Sequence, residues 1–217
     1  DDVLPHGFCP VELGLRIKQL ATRKKRNDHR RAYMHEGLRA AVTDPLTGLY
    51  NRRFASLKLA QTVADCEATG QSCAVMVIDV DHFKRVNDIL GHAAGDAALV
   101  ELSALLQHNL RPEDLLARIG GEEFLVVMPG THHSRAQEAA NRLRELVDAN
   151  PFRLATNAPL QHITISIGVA VQEPRPHMQR AETADLAEAL IARADTALYR
   201  SKRHGRNQVT MSARTAA

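Results

Sequence analysis

Between residues 11 and 42, apolar positions recur at alternating three- and four-residue steps: Leu13, Ile17, Leu20, then Met34, Leu38 and Ala41. That spacing predicts a helix with a heptad seam. The same register passes through Lys24, Asn27 and Arg31, inside the basic run RKKRNDHRR. A seam that turns polar in its middle leaves two readings open: one coiled coil, or two amphipathic helices joined by a solvated hinge. Asp44-Pro45 ends this helix, and Gly48 and Asn51 mark turns beyond it. A helix over residues 52–68 then runs to a break at Gly70. CAVMVIDVD, residues 73–81, is an unbroken apolar run ending in acid, the pattern of a buried strand.

Helices over 83–90 and 96–109 follow, divided by GHAAGD. LLARIGGEEFLVVMP, residues 115–129, reads as a β-hairpin around Gly120-Gly121. His132-His133 opens a helix over 134–149, and HITISIGVAV, residues 162–171, alternates as a strand. A helix over 181–202 leads through RHGRN into a short strand at 208–211. Alternating strands and helices with one hairpin predict an α/β sandwich, a mixed sheet with helices on its faces.

Composition sharpens this picture in three places. Hydrophobic residues make up 44% of the 217, enough for a real core, while aromatics are 4% and Trp is absent, so that core is aliphatic. Residues 1–41 hold nine Lys/Arg against five Asp/Glu, so the remainder is close to neutral. The body therefore lacks the basic excess of a nucleic-acid binder. Cys9, Cys66 and Cys73 have no CxxC spacing and suit free or buried thiols in a reducing, cytoplasmic setting. No apolar run approaches the roughly 18–20 residues of a membrane span, and no signal peptide is visible. The chain starts Asp-Asp rather than Met, which suggests a fragment of a longer protein.

The acids carry the candidate chemistry. Alternation puts Asp79 and Asp81 on one face if the strand continues, and Glu122 and Glu123 stand at the hairpin tip. If those strands are neighbours, the carboxylates converge where a hard cation such as Mg²⁺ finds oxygen ligands. Each acid alone reads as well as a solvated strand end. Phe83-Lys84 begins a helix whose N–H groups can face an anion, and Lys202 and Arg206 follow the last helix. A lysine there also simply complements the helix dipole. No GxxxxGK[ST], HExxH or zinc spacing occurs. No Ser/His/Asp or Cys/His arrangement can be argued.

DPLTGLYNRR, DVDHFKRVNDILGHAAGD, RIGGEEF and ALYRSKRHGRN, together spanning about residues 43–211, have the order and spacing of the GGDEF-type diguanylate cyclases, which the chain resembles. Residues 1–42 resemble the last helix of a receiver domain with its linker, and 43–217 the cyclase domain of a response regulator cut from its receivers. The resemblance implies a palm-like, mainly antiparallel mixed sheet of about five strands. It implies that two GTP are condensed into cyclic di-3′,5′-GMP with release of two pyrophosphates, by a homodimer whose sites face each other. Asp79, Glu122 and the carbonyl of Val80 would hold two Mg²⁺, or Mn²⁺ in their place. Glu123 and Lys84 would be catalytic, Glu123 helping to deprotonate the attacking hydroxyl. Asn87 and Asp96 would read guanine, while Phe83, Lys84, Lys202 and Arg206 hold phosphates and Gly120 and Gly121 make room. Arg111 and Asp114 of RPED, with Arg142, match a site for inhibitory product.

Two departures are small: Ile119 stands where an aromatic is frequent, and Glu122 replaces Asp. Two other readings remain: a silent receptor for nucleotide or cyclic di-GMP, and a cyclase acting on a single nucleotide.

Overall fold

The computed structural model describes residues 10–154, 159–174 and 182–213. The chain divides into two compact units, residues 1–41 and 42–217. In the first, α1 runs unbroken over Pro10–Val42. Its backbone is one continuous helix through the basic run, without the hinge that the polar stretch allowed. Ile17 and Leu20 are exposed. Cys9 and the side chains of Leu13, Arg31, Met34 and Leu38 lie outside the described residues. No described helix is long and apolar enough to cross a membrane.

The second unit is a six-stranded mixed sheet in the order β1-β3-β4-β2-β5-β6. Its strands are β1 (Tyr50–Asn51), β2 (Cys73–Val80), β3 (Leu115–Arg118), β4 (Glu123–Pro129), β5 (Ile165–Gln172) and β6 (Val209–Met211). The four inner strands pair antiparallel, and β1 and β6 join the edges in parallel. The expected mainly antiparallel sheet is present, with the two-residue β1 as the strand that periodicity could not reveal. The second unit's helices are α2 (Arg52–Thr69), α3 (Phe83–Leu90), α4 (His92–His108), α5 (His133–Ala149) and α6 (Glu182–Arg203). α4 begins four residues before the predicted start, because GHAAGD is its first turns rather than a loop.

β2 and β5 are buried on both faces, which explains the unbroken apolar run in β2. Alternation sends Met76, Ile78, Phe124, Val126, Ile165 and Ile167 to a core shared with α4 and α5. Val75, Val77, Leu125 and Val127 go to the opposite core, shared with α2 and α6. Cys66 and Cys73 are buried free thiols in that second layer. Two cores clamp β2 and β4, so their ends are rigid mounts for whatever they carry.

Candidate active site

The acids meet at those mounts. β2 and β4 pair with Asp79 opposite Glu123, and the Val80 N–H donates to the Glu122 carbonyl at 3.3 Å. Asp79 is 5% exposed, and Lys202 Nζ from the end of α6 lies 2.7 Å from its Oδ2. Burial pushes the Asp79 carboxyl above its ordinary value; Lys202 opposes the shift, while repulsion from Glu123 and Asp81 adds to it. Glu122 is raised for the same reasons: burial first, then Asp79, with Lys202 pulling the other way. Like charges at these strand ends are thus incompletely compensated by one ammonium.

That excess tests whether a cation belongs here. Among the described residues no three His, Cys, Asp or Glu side chains are gathered into a ready metal cluster. Two destabilised carboxylates beside a strand-end carbonyl are nevertheless a hard-oxygen donor set, which leaves positions for water or phosphate oxygens. The residues fit a divalent cation completed by its ligand.

The turn between β3 and β4 is held in place from outside. Arg118 Nε and Nη2 donate to the Gly121 carbonyl at 3.2 and 2.7 Å, and Nη1 reaches Asp44 Oδ1 at 3.0 Å. Asp44 also accepts from the Thr47 N–H and hydroxyl at 2.9 and 2.7 Å. Burial would raise the Asp44 carboxyl, but the Thr47 bonds and the Arg118 guanidinium together hold it below its usual value. Asp44, expected only to stop a helix, is one anchor of this brace. The two partners are 74 residues apart with no local signal.

A Cβ on Gly120 would collide with the carboxylate of Glu123, so the glycine leaves room for that side chain. Gly121 faces open space, with nothing within 4 Å of such a Cβ. Phe83 is buried and Lys84 exposed in the first turn of α3. Asn87, half-buried on α3, packs against Gly95 of α4, where an added Cβ would strike both Asn87 and the Phe83 ring. Gly95 is therefore a contact residue inside a helix, and Asp96 beside it is exposed. Arg206 is exposed in the loop after α6, with φ 64°.

Asp81 departs from expectation. The strand ends at Val80, and Asp81 turns inward, 5% exposed, to Thr164 and Ser166 rather than joining Asp79.

Arg111, Asp114 and Arg142 form a second group. The Arg111 N–H donates to Asp114 Oδ2 at 3.0 Å, and the Asp114 N–H donates to the Arg111 carbonyl at 3.1 Å. Asp114 Oδ1 is buried with no hydrogen-bond partner. Burial raises its carboxyl, and Arg111 and Arg142 partly offset this. Arg142 donates to the Asn109 carbonyl at 3.0 Å. Arg111 and Asp114 line a cavity of about 530 Å³ with Tyr50, Gln107 and Leu116.

A strand pair bearing acids, a braced glycine turn and a lysine reaching in from a helix end thus come together in one place. Residues 41–208 match the family described as diguanylate cyclase, GGDEF domain, and the chain belongs to that family. It is 39% identical over 209 residues to the response regulator PleD of Caulobacter vibrioides, covering 96% of this chain and 44% of PleD. It thus spans under half the length of that relative. The coiled coil and GGDEF domain of DgcB from Caulobacter crescentus, solved in complex with c-di-GMP, superposes with a TM-score of 0.77 at 32% identity, covering 90% of this chain and 98% of that one. The active GGEEF domain of a diguanylate cyclase from Vibrio cholerae superposes at 0.64 and 30% identity, covering 76% and 98%.

Proposed function

We propose that this chain is the cyclase part of a longer signalling protein and condenses two GTP into cyclic di-3′,5′-GMP, releasing two pyrophosphates. The observation that carries this reading is the register of Asp79 with Glu123, which gathers the acids 79, 122 and 123 beside Lys202. Family membership supports it, as do the relatives solved with c-di-GMP or described as active with the same GGEEF motif.

In this reading Asp79, Glu122 and the Val80 carbonyl hold Mg²⁺, or Mn²⁺, two ions per site. When bound, the ions neutralise the carboxylates and the charge developing on the α-phosphate. Lys202, Arg206 and Lys84 bind the triphosphate, with the Phe83 and Lys84 N–H groups at the start of α3. Asn87 and Asp96 orient guanine. Glu123 accepts the proton of the attacking 3′-hydroxyl, and the α-phosphate to pyrophosphate bond breaks as the new ester forms. Each chain holds one GTP, so two chains face each other, and α1 brings them together.

Arg111, Asp114 and Arg142 bind product. The buried Asp114 oxygen that lacks a partner is a ready acceptor for a guanine N–H, and Arg111 pairs with phosphate. Product held there restrains turnover as a coupling between two sites.

Incubation with GTP and Mg²⁺ at high protein concentration, followed by chromatography, tests this. Cyclic di-GMP and pyrophosphate are the expected products, and Glu123→Gln suppresses both. A cyclic mononucleotide, or no turnover at all, contradicts the reading.

A further inference from the structure

Asp81 ends the Asp-Val-Asp pattern, and the proposed reaction gives it no task. Its two oxygens are both engaged. Oδ1 accepts the Ser166 hydroxyl at 2.7 Å; Oδ2 accepts the Thr164 hydroxyl at 2.7 Å and the Asn207 backbone N–H at 2.9 Å. The first two bonds fasten Asp81 to β5 and the residues leading into it. The third spans 126 residues of sequence and ends in the loop that bears Arg206.

That loop has an uncommon shape. Arg206 and Asn207 have φ of 64° and 45°, two consecutive non-glycine residues in the left-handed region. Such backbone persists only where its surroundings hold it. Among the described residues, three hydrogen bonds hold residues 206 and 207 themselves. The Arg206 N–H donates to the Ser201 carbonyl at 3.1 Å, Arg144 Nη1 donates to Asn207 Oδ1 at 3.2 Å, and Asp81 takes the Asn207 N–H. Of these, Asp81 is the one rooted next to the strand that carries Asp79. It therefore ties the phosphate-side loop to the same rigid mount as the acids.

We propose that Asp81 is a positioning residue for the triphosphate. Its buried carboxylate locks residues 206–207 in the left-handed turn and so aims Arg206 at the phosphates, without touching substrate. The inference rests on the cyclase reading of the site.

Steady-state kinetics with GTP on Asp81→Asn, Arg206→Ala, the double variant and Ser166→Ala decide it. With Asn at position 81, the geometry that holds the Asn207 N–H weakens. KM then rises about tenfold with kcat within about twofold, the signature of lost binding that is equal in the ground and transition states. The double variant is no worse than Arg206→Ala alone, because both act through one contact. Ser166→Ala removes an Asp81 bond that does not reach the loop, so it lowers melting temperature and leaves KM unchanged. Additive effects, a fall in kcat alone, or an equal KM rise in Ser166→Ala overturn the proposal. Should Asp81→Asn not fold, Asn207→Ala at the half-buried loop position disfavours the left-handed turn directly. It must raise KM without additivity to Arg206→Ala, and an unchanged KM overturns the proposal. Wild-type protein that turns over GTP with a KM that Asp81→Asn matches sinks this inference alone. Wild-type protein that neither binds nor converts GTP sinks the cyclase reading with it.

Discussion

Replacing Arg118 with Met should loosen the acidic turn more than it loosens the fold. Arg118 bridges Asp44 and the Gly121 carbonyl, with its side chain 14% exposed and that of Asp44 18% exposed. Exposed ion pairs contribute about 0–1 kcal/mol, and breaking a fully buried one costs about 3–5 kcal/mol. This pair lies between those limits. The charged bonds to the Gly121 oxygen are also lost, at about 1.5–3 kcal/mol for a charge-assisted interaction. A total of about 2.5–4 kcal/mol follows for Arg118→Met, with about 1 kcal/mol of it shared with Asp44.

Urea denaturation of wild type, Asp44→Asn, Arg118→Met and the double variant reads that shared part directly. Because Gly121 adjoins Glu122, cyclase turnover should fall by about 10²-fold when the turn is released, the cost of roughly 1 Å of misplacement. The Asp44 carboxyl is depressed in the folded state. Its stabilisation is therefore complete above the unfolded value near 3.9 and vanishes as pH falls through the lower folded value. The gap between wild type and Asp44→Asn should close in that acid range. A coupling energy below about 0.3 kcal/mol, or full turnover in Arg118→Met, refutes the brace.

The two glycines should separate. Gly120→Ala pushes the Glu123 carboxylate aside and cuts kcat strongly with a small change in melting temperature, because the obstructing group is the end of a flexible side chain. Gly121→Ala meets no protein atom, so its stability stays near wild type and any loss reads as a clash with nucleotide. Glu122, whose carboxyl burial and Asp79 hold above its ordinary value, destabilises the metal-free fold when ionised. Metal-free stability from this group falls as pH rises from the unfolded value through the folded one. Glu122→Gln should therefore melt higher than wild type at neutral pH without metal and show little gain when Mg²⁺ is added. Arg111→Ala should abolish calorimetric binding of cyclic di-GMP at the second group while early-time GTP turnover persists.

Much of the architecture was written locally. β2 was legible because a short unbroken apolar run ending in acid fits a buried strand, and both of its faces are indeed buried. The Gly120-Gly121 hairpin was legible because glycines interrupt two apolar runs. Where local pattern and structure part, tertiary contact overrides local preference. Gly95 looked like a break, yet it sits inside α4 because only a glycine lets Asn87 pack there. β1 is two residues long, defined by its backbone bonds to β3, and carries no periodic signal. The motif acids were visible in order, but their meeting depends on the β2–β4 register. The Asp44–Arg118 brace and the Asp81–Asn207 bond join residues 74 and 126 positions apart, which no local pattern encodes.

The central claim is that the ends of β2 and β4 together hold a divalent ion beneath a guanosine triphosphate. Electron paramagnetic resonance of Mn²⁺, titrated into the protein with a non-hydrolysable GTP analogue, measures it directly. Wild type should take up Mn²⁺ tightly only with the analogue present, and Asp79→Asn and Glu122→Gln should each lose most of that uptake. Uptake unchanged in both variants would contradict the account.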